Sequence, residues 1–546
     1  MKKQMKYVSN ALATVLSLSI LAGCSPFGQS DGNQLTNSYT ENTTDKATAL
    51  WIDGSSFTPV LRFVAGSDVH IGEDISWNPG RYRLGYLFDD IYDYASTQEY
   101  DRLDAVILNG DLCERGTEWE YKALMEEIEK HARQEETIVM ASFAGHEILD
   151  HYNKGAENDA VEFITSQTGL DPATHLKIKG FHFVVVSNMY TEANLPVGYD
   201  KQWVLDAFSN AAEDGGSQPI FTFFHHPVND TILWSEKDRN DYPDRPVFAE
   251  EMEAYPQIVY FSGHYHTAIR HPAALVQTSF TSIDTGAVDY FSVISQNKFD
   301  GVNDKVLKSY TSTHTSAGGG MHVIEVDANN RIRVMPYNLA QRKFYNAMGE
   351  NSNEQLIYYI EDASDPSTWL YKKAGSAYAE VGESREEKSA NPYFADNAQI
   401  QDLTITQDSI DFKFPHALDD DGVESYTIIV KDENGNSIIA EPVSSEYYLE
   451  NGSKEMTISY TREVDTYSER AYNDSDFSFI DPNRTNLSGT TWQEATYAFE
   501  DGKTYTLEIV AYDCWSKKST GATQGQTSLK YTFTVDFLET DGLRKA

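Results

Sequence analysis

The sequence predicts an α/β protein followed by an all-β domain. Three observations point there. From residue 60 to about 340, short apolar runs alternate with helical stretches, the pattern of strands and crossover helices. Those runs are apolar on both faces, as central strands are. From about residue 396, short alternating strands separated by turn residues take over, which reads as a β-sandwich.

The elements follow in order. "LRFVAG" reads as a buried strand, and Leu84, Leu87, Phe88, Ile91 and Ala95 then recur at helical spacing. "AVILNG" is the next strand, a helix follows around Trp119 to Ala132, and "TIVMASF" is a third strand. "FHFVVVS", "IFTFF", "IVYFSG" and "MHVIEV" continue the α/β domain, set at 51–345. Residues 346–395 form a weakly periodic connecting segment. The domain at 396–546 contains "YTIIVKDENGN", "KEMTISYT" and "KTYTLEIVAYD". Its stretch "DGKTYTLEIVAYDCW" resembles the late strand pair of a fibronectin or immunoglobulin-like module. Few polar contacts are expected between the two domains, so the α/β domain is expected to act alone.

A chain of 546 residues is too long for one core. Its 84 acidic and 43 basic side chains give a net charge of −41, which repels nucleic acid, so no nucleic-acid partner is expected. With 34 Tyr, 26 Phe and 8 Trp it is not a disordered acidic chain. At the N-terminus, Lys2, Lys3 and Lys6 precede an apolar run too short to span a bilayer, as in a secretory signal. Leu21-Ala22-Gly23-Cys24 resembles a bacterial lipobox. That resemblance implies a signal peptide over 1–23, lipidation of Cys24 and a lipid-anchored protein outside the cytoplasm. A plain signal peptide with a chance cysteine is the alternative. Residues 24–50, rich in Ser, Thr, Asn, Gly and Asp, read as a flexible tether. Cys113 and Cys514 make no disulfide framework and read as free thiols.

The chemistry sits where strands stop. "LRFVAG" runs into Asp68 and His70, "AVILNG" into Asp111, and "TIVMASF" into His146. "IFTFF" runs into His225 and His226, and "IVYFSG" into His264 and His266. The C-terminal edge of strands is where α/β folds build sites. Imidazoles and carboxylates together suit Zn, Mn and Fe. Taken singly, a strand-end His more often packs than binds metal; His322 and the acidic run at 419–422 carry only that plain reading. The ordered set is far more specific.

Asp-x-His, Gly-Asp, Gly-His-Glu, His-His-Pro and Gly-His-x-His, in this order over 58–345, resemble the calcineurin-like metallophosphoesterase superfamily, which includes purple acid phosphatases and cyclic nucleotide phosphodiesterases. The resemblance implies a four-layer α-β-β-α fold and hydrolysis of phosphomonoesters or phosphodiesters by metal-activated water. It implies two transition-metal ions. Asp68, His70, Asp111 and His266 would hold the first, Asp111 would bridge, and His225 and His264 would hold the second. His146 would assist the leaving group or contact phosphate, with Glu114 paired to it and Arg115 on the phosphate. The partner implied is a small phosphorylated substrate.

The stretch "AGHE", residues 144–147, departs from the family's Gly-Asn-His-acid motif. Gly145 stands where an Asn ligand is usual, so the second ion is expected to bind weakly unless Asp150 or Asn153 replaces the ligand. A zinc-protease helix is excluded by spacing, because His151 lies five residues after His146 and not four. The alternative is a degenerate metal- or phosphate-binding surface lipoprotein without turnover.

Overall fold

A computed structural model describes residues 46–544 apart from 73–78, 156–158, 191–195, 198–199, 236–245, 295–297, 300–305, 308–311, 316–318, 349–352, 446–447, 449–454 and 462–498. The signal-peptide, lipidation and most of the tether assignments, Cys24 included, lie outside these residues. All described residues fall in one compact unit, Lys46–Ala546. Among them no helix is long and apolar enough to cross a membrane.

The first half alternates as the sequence predicts: β1 (Pro59–Gly66), α1 (Pro79–Ser96), β2 (Ala105–Asn109), α2 (Glu118–His131), β3 (Ile138–Ser142), α3 (Gly145–Asn153) and α4 (Ala160–Thr168). Then come β4 (Ala173–Ile178), β5 (Phe181–Val186), α5 (Lys201–Gly215), β6 (Ile220–Phe223) and β7 (Ile258–Ser262). In the first sheet β1, β2 and β3 run parallel, and β1 pairs antiparallel with Gly320–Asp327. In the second, β5, β6, β7 and Thr281–Asp284 run parallel, flanked by antiparallel edge strands.

Side-chain alternation along β1 builds the layers. Leu61, Phe63 and Ala65 face the second sheet, where Phe63 meets Phe183, Phe221 and Phe261 at ring-centroid distances of 4.8–6.0 Å. Val64 faces the other way, into a cluster with Leu84, Leu87, Phe88 and Ile91 of α1 and Leu124 of α2. On the far side of the second sheet, Val184 and Tyr260 pack against Val204 and Phe208 of α5. The result is a mixed α/β fold of two facing sheets with helices outside both, the layering that the resemblance implies.

The C-terminal region is separate and all-β. A three-stranded sheet (Gln401–Ile405, Ser409–Pro415, Glu455–Thr461) packs on a four-stranded one (Val423–Lys431, Ser437–Ser444, Thr504–Asp513, Leu529–Thr534). Its junction with the first domain is more polar than the sequence suggested. Arg385 pairs with Asp421 at 2.6 Å and donates to the Pro272 carbonyl at 3.3 Å. The Trp515 indole N–H donates to Asp421 at 2.7 Å, and Trp515 packs on Leu233, Trp234 and Ala273. The 346–395 segment adds a strand, Tyr358–Ile360, to the first sheet. Lys46 and Ala47 are already tied to Asp101 and Gln98. Cys113 and Cys514 are both buried free thiols.

Candidate metal centre

The parallel strands of both sheets end at one edge, and each must turn sharply there. Asp68, His70, Asp111, His264 and His266 take left-handed backbone conformations, with φ of 53°, 47°, 50°, 75° and 53°. Non-glycine residues rarely do so, Asp and His less reluctantly than most, and such conformations gather at functional sites. Gly110, at φ 83°, precedes Asp111; a Cβ there would lie 2.6 Å from Nδ1 of His225. Close approach of the β2 and β6 ends therefore requires glycine.

Asp68, His70 and His266 bring one ligand atom each to within 4.8 Å of one another, and so do Asp111, His225 and His264. A third such group joins His70 to Glu114 and His146. Asp111 thus groups with the second set. Three imidazoles are oriented alike. Nδ1 of His225 faces the Asn109 carbonyl at 2.7 Å, Nδ1 of His266 the Tyr290 carbonyl at 3.2 Å, and Nδ1 of His70 the Glu114 carboxylate at 3.0 Å. With Nδ1–H donated outward, each Nε2 lone pair turns inward. Nε2 of His225 lies 2.9 Å from Asp111, and Nε2 of His266 lies 3.0 Å from Asp68 and 3.1 Å from Nε2 of His70.

Charge follows this packing. Burial alone would raise Asp68, yet His266 and His225 hold it far below the ordinary carboxylate range. Asp111 is likewise held low against burial, chiefly by His225 and His146. His225 is lifted to about 10, because Asp111 and Asp68 outweigh its burial. His264 is pushed down to about 4 by burial and by His225, and His226 falls well below its usual value for the same kind of reason. Ionised carboxylates and inward-facing Nε2 atoms are the donor set that Zn-, Mn- or Fe-type ions take, so these residues fit such ions.

His146 stands beside His70, ring centroids 4.8 Å apart, and its Nδ1 lies 2.7 Å from the Glu114 carbonyl. Glu114 therefore contacts His146 through the main chain, while its carboxylate serves His70. Arg115 is exposed, with no side-chain partner among the described residues. Gly145 opens α3 with an ordinary φ, and nothing lies within 4 Å of a Cβ placed there. Asp150 pairs instead with Lys154 at 2.5 Å and stands outside the ligand groups, as do His226 and Asn153. His151 packs on Phe163, ring centroids 4.6 Å apart. Buried His322 has Nε2 2.9 Å from the Asp284 carbonyl.

Sequence reasoning gave no role to three supporting residues. The Glu147 carboxylate accepts from the backbone N–H groups of Asp111, Leu112, Cys113 and Ala144 at 2.5–3.1 Å. It thereby clamps the loop after β2 to the start of α3. The Asn109 amide donates to the Phe261 and Phe224 carbonyls at 3.0 and 3.4 Å and accepts from Ser142, joining the ends of β2, β3, β6 and β7. Tyr290 backs His266, ring centroids 4.3 Å apart. One signal was visible for Asn109: a polar residue ending an otherwise apolar strand.

Residues 61–268 match the family described as calcineurin-like phosphoesterase, Metallophos. That segment, similar to the family over its whole matched length, holds every ligand candidate. Three solved structures are similar to the chain. A purple acid phosphatase from seeds of yellow lupin (Lupinus luteus) is 12% identical with a TM-score of 0.34, over 54% of this chain and 57% of that one. The sulfate thiohydrolase SoxB of Thermus thermophilus, in complex with glycerol, is 11% identical with a TM-score of 0.27, over 53% and 58%. A 5'-nucleotidase precursor, also from Thermus thermophilus, is 12% identical with a TM-score of 0.25, over 55% and 53%. The chain thus matches less than three fifths of the length of each. No curated protein matches it.

Proposed function

We propose that this protein hydrolyses phosphomonoesters or phosphodiesters at a two-metal site, outside the cytoplasm, anchored to a bacterial membrane through lipidated Cys24. The observation that carries the catalytic part is the shared orientation of His70, His225 and His266. Each commits Nδ1 to an oxygen behind it and turns Nε2 toward Asp68 or Asp111. Asp68, His70 and His266 would hold one ion and Asp111, His225 and His264 the other, and Asp111 is the carboxylate we assign to both. Ions bound there supply Lewis acidity toward phosphoryl oxygens and lower the pKa of water.

The chain's own residues do the rest. The exposed guanidinium of Arg115, with no side-chain partner among the described residues, would pair with the anionic phosphoryl group. His146 keeps its Nδ1 proton on the Glu114 carbonyl, so Nε2 is the atom that takes up a proton and passes it to the leaving oxygen. Glu114 orients His70 and lies close enough to keep His146 in place.

The test uses p-nitrophenyl phosphate and bis-p-nitrophenyl phosphate with metal-loaded, chelator-stripped and reloaded protein. Hydrolysis that is lost on stripping and restored by reloading supports the reading. Metal uptake without hydrolysis of either ester replaces it with the non-catalytic alternative. For the anchor, Cys24→Ala should abolish lipid labelling; a variant that still labels contradicts the anchor assignment.

A further inference from the structure

Both loops that deliver the imidazoles assigned to the second ion run into one small apolar cluster. His225 follows β6, and the chain then turns through 230–235, where the Asp230 N–H donates to the Ser235 carbonyl at 2.8 Å. His264 follows β7, with Tyr265 next to it. The Leu233 N–H donates to the Ala273 carbonyl at 3.1 Å, which ties one loop to the other. Leu233, Trp234 and Ala273 form the cluster, and Tyr265 and Trp515 pack against it. Trp515 comes from the all-β region, just beyond its strand Thr504–Asp513.

Rings carry the contact from this cluster to the ligands. Trp234 meets Tyr265 edge to face with centroids 6.4 Å apart, Tyr265 lies 5.0 Å from His264, and His264 lies 5.6 Å from His225. Trp234 is buried in a left-handed conformation, φ 67°, which a bulky side chain adopts only where its surroundings impose it. Trp515 is itself fixed: its indole N–H donates to Asp421 at 2.7 Å and its backbone N–H to Asp513 at 2.9 Å. The ligands assigned to the first ion are held by other means. Asp68 and His70 follow β1 of the first sheet, and Tyr290 backs the His266 ring and faces its Nδ1.

We propose that Trp515 is a positioning residue for the second ion: by closing the cluster it fixes where Tyr265, and with it the His264 imidazole, can lie. The all-β region thereby completes the metal centre. The inference rests on the two-metal reading above. An ion that lacks the usual ligand at Gly145 depends the more on how the ligands it keeps are placed.

Calorimetric titration of Zn into the chelator-stripped full chain, below the melting temperature of each variant, tests this. His264→Ala identifies the second ion's step as the one it weakens most. In Trp515→Ala that step should weaken about ten-fold, the low end of what a residue behind a ligand contributes, while the other step stays within about two-fold. Trp515→Phe keeps a ring on the cluster and should restore most of the affinity. An unchanged second step in Trp515→Ala, or equal weakening of both steps, overturns the proposal. If Trp515→Ala does not fold, Tyr265→Ala decides by the same two criteria. A parent protein that binds fewer than two ions overturns the two-metal reading itself, and this proposal with it.

Discussion

Asp111, grouped with His225 and His264, is the carboxylate that the proposed two-metal site also assigns to the first ion. Its carboxylate meets Nε2 of His225 on one side and the His146 N–H at 3.3 Å on the other. On that proposal Asp111→Asn removes a charge that both ions would share, and kcat should fall at least about a hundred-fold with loss of bound metal. Glu147 acts one step back. A Gln in its place turns an N–H toward a backbone N–H, so Glu147→Gln should cost about 1–3 kcal/mol in chemical denaturation. Gly145 offers the opposite kind of test. Its φ is ordinary and its Cβ direction is open, so Gly145→Asn should fold with little change in melting temperature and supply an oxygen ligand. The metal concentration for half-maximal activity should then fall; an unchanged value means that Gly145 is not at a ligand position.

At the scale of elements, the candidate site was legible because each ligand follows an apolar run that could hardly be anything but a strand. A list of strand ends is already a list of residues at one edge of a parallel sheet. The backbone that delivers them was not legible, because left-handed φ at Asp68, His70, Asp111, His264 and His266 is imposed by the turn out of the sheet. Nor were Asn109, Glu147 and Tyr290, whose partners, Ala144 apart, lie 24–152 residues away and are chosen by packing. The plain reading of the acidic run at 419–422 also missed an electrostatic consequence. Burial, then Asp513, raises Asp419 from an ordinary 3.8 to about 8. The folded protein therefore keeps a proton that the unfolded chain has released, and this group's contribution declines as pH rises from about 4 toward 8. Asp419→Asn should melt higher than the parent protein at pH 8, with the gap closing toward pH 4. A gap independent of pH would contradict that assignment.

At the scale of the whole molecule, the all-β region was legible as a sandwich, but its grip on the catalytic domain was not. Arg385, Asp421 and Trp515 come from three separate stretches and meet against Pro272 and Ala273, a few residues beyond His264 and His266. Tyr265, between those two ligands, packs against the same apolar cluster as Trp515. Asp421→Ala leaves the Arg385 guanidinium without its carboxylate and should cost about 3 kcal/mol in chemical denaturation. A chain ended near residue 390 should melt well below the full chain, since it uncovers that cluster.

In the proposed site, Asp68, His70, Asp111, His225, His264 and His266 together form one two-metal centre. Elemental analysis of the purified protein, expressed as transition-metal ions per chain after equilibration with Zn, Mn or Fe, tests it most directly. Two ions per chain are expected, both lost in Asp111→Asn. A ratio that never exceeds one, or an Asp111→Asn protein that keeps two, would contradict it.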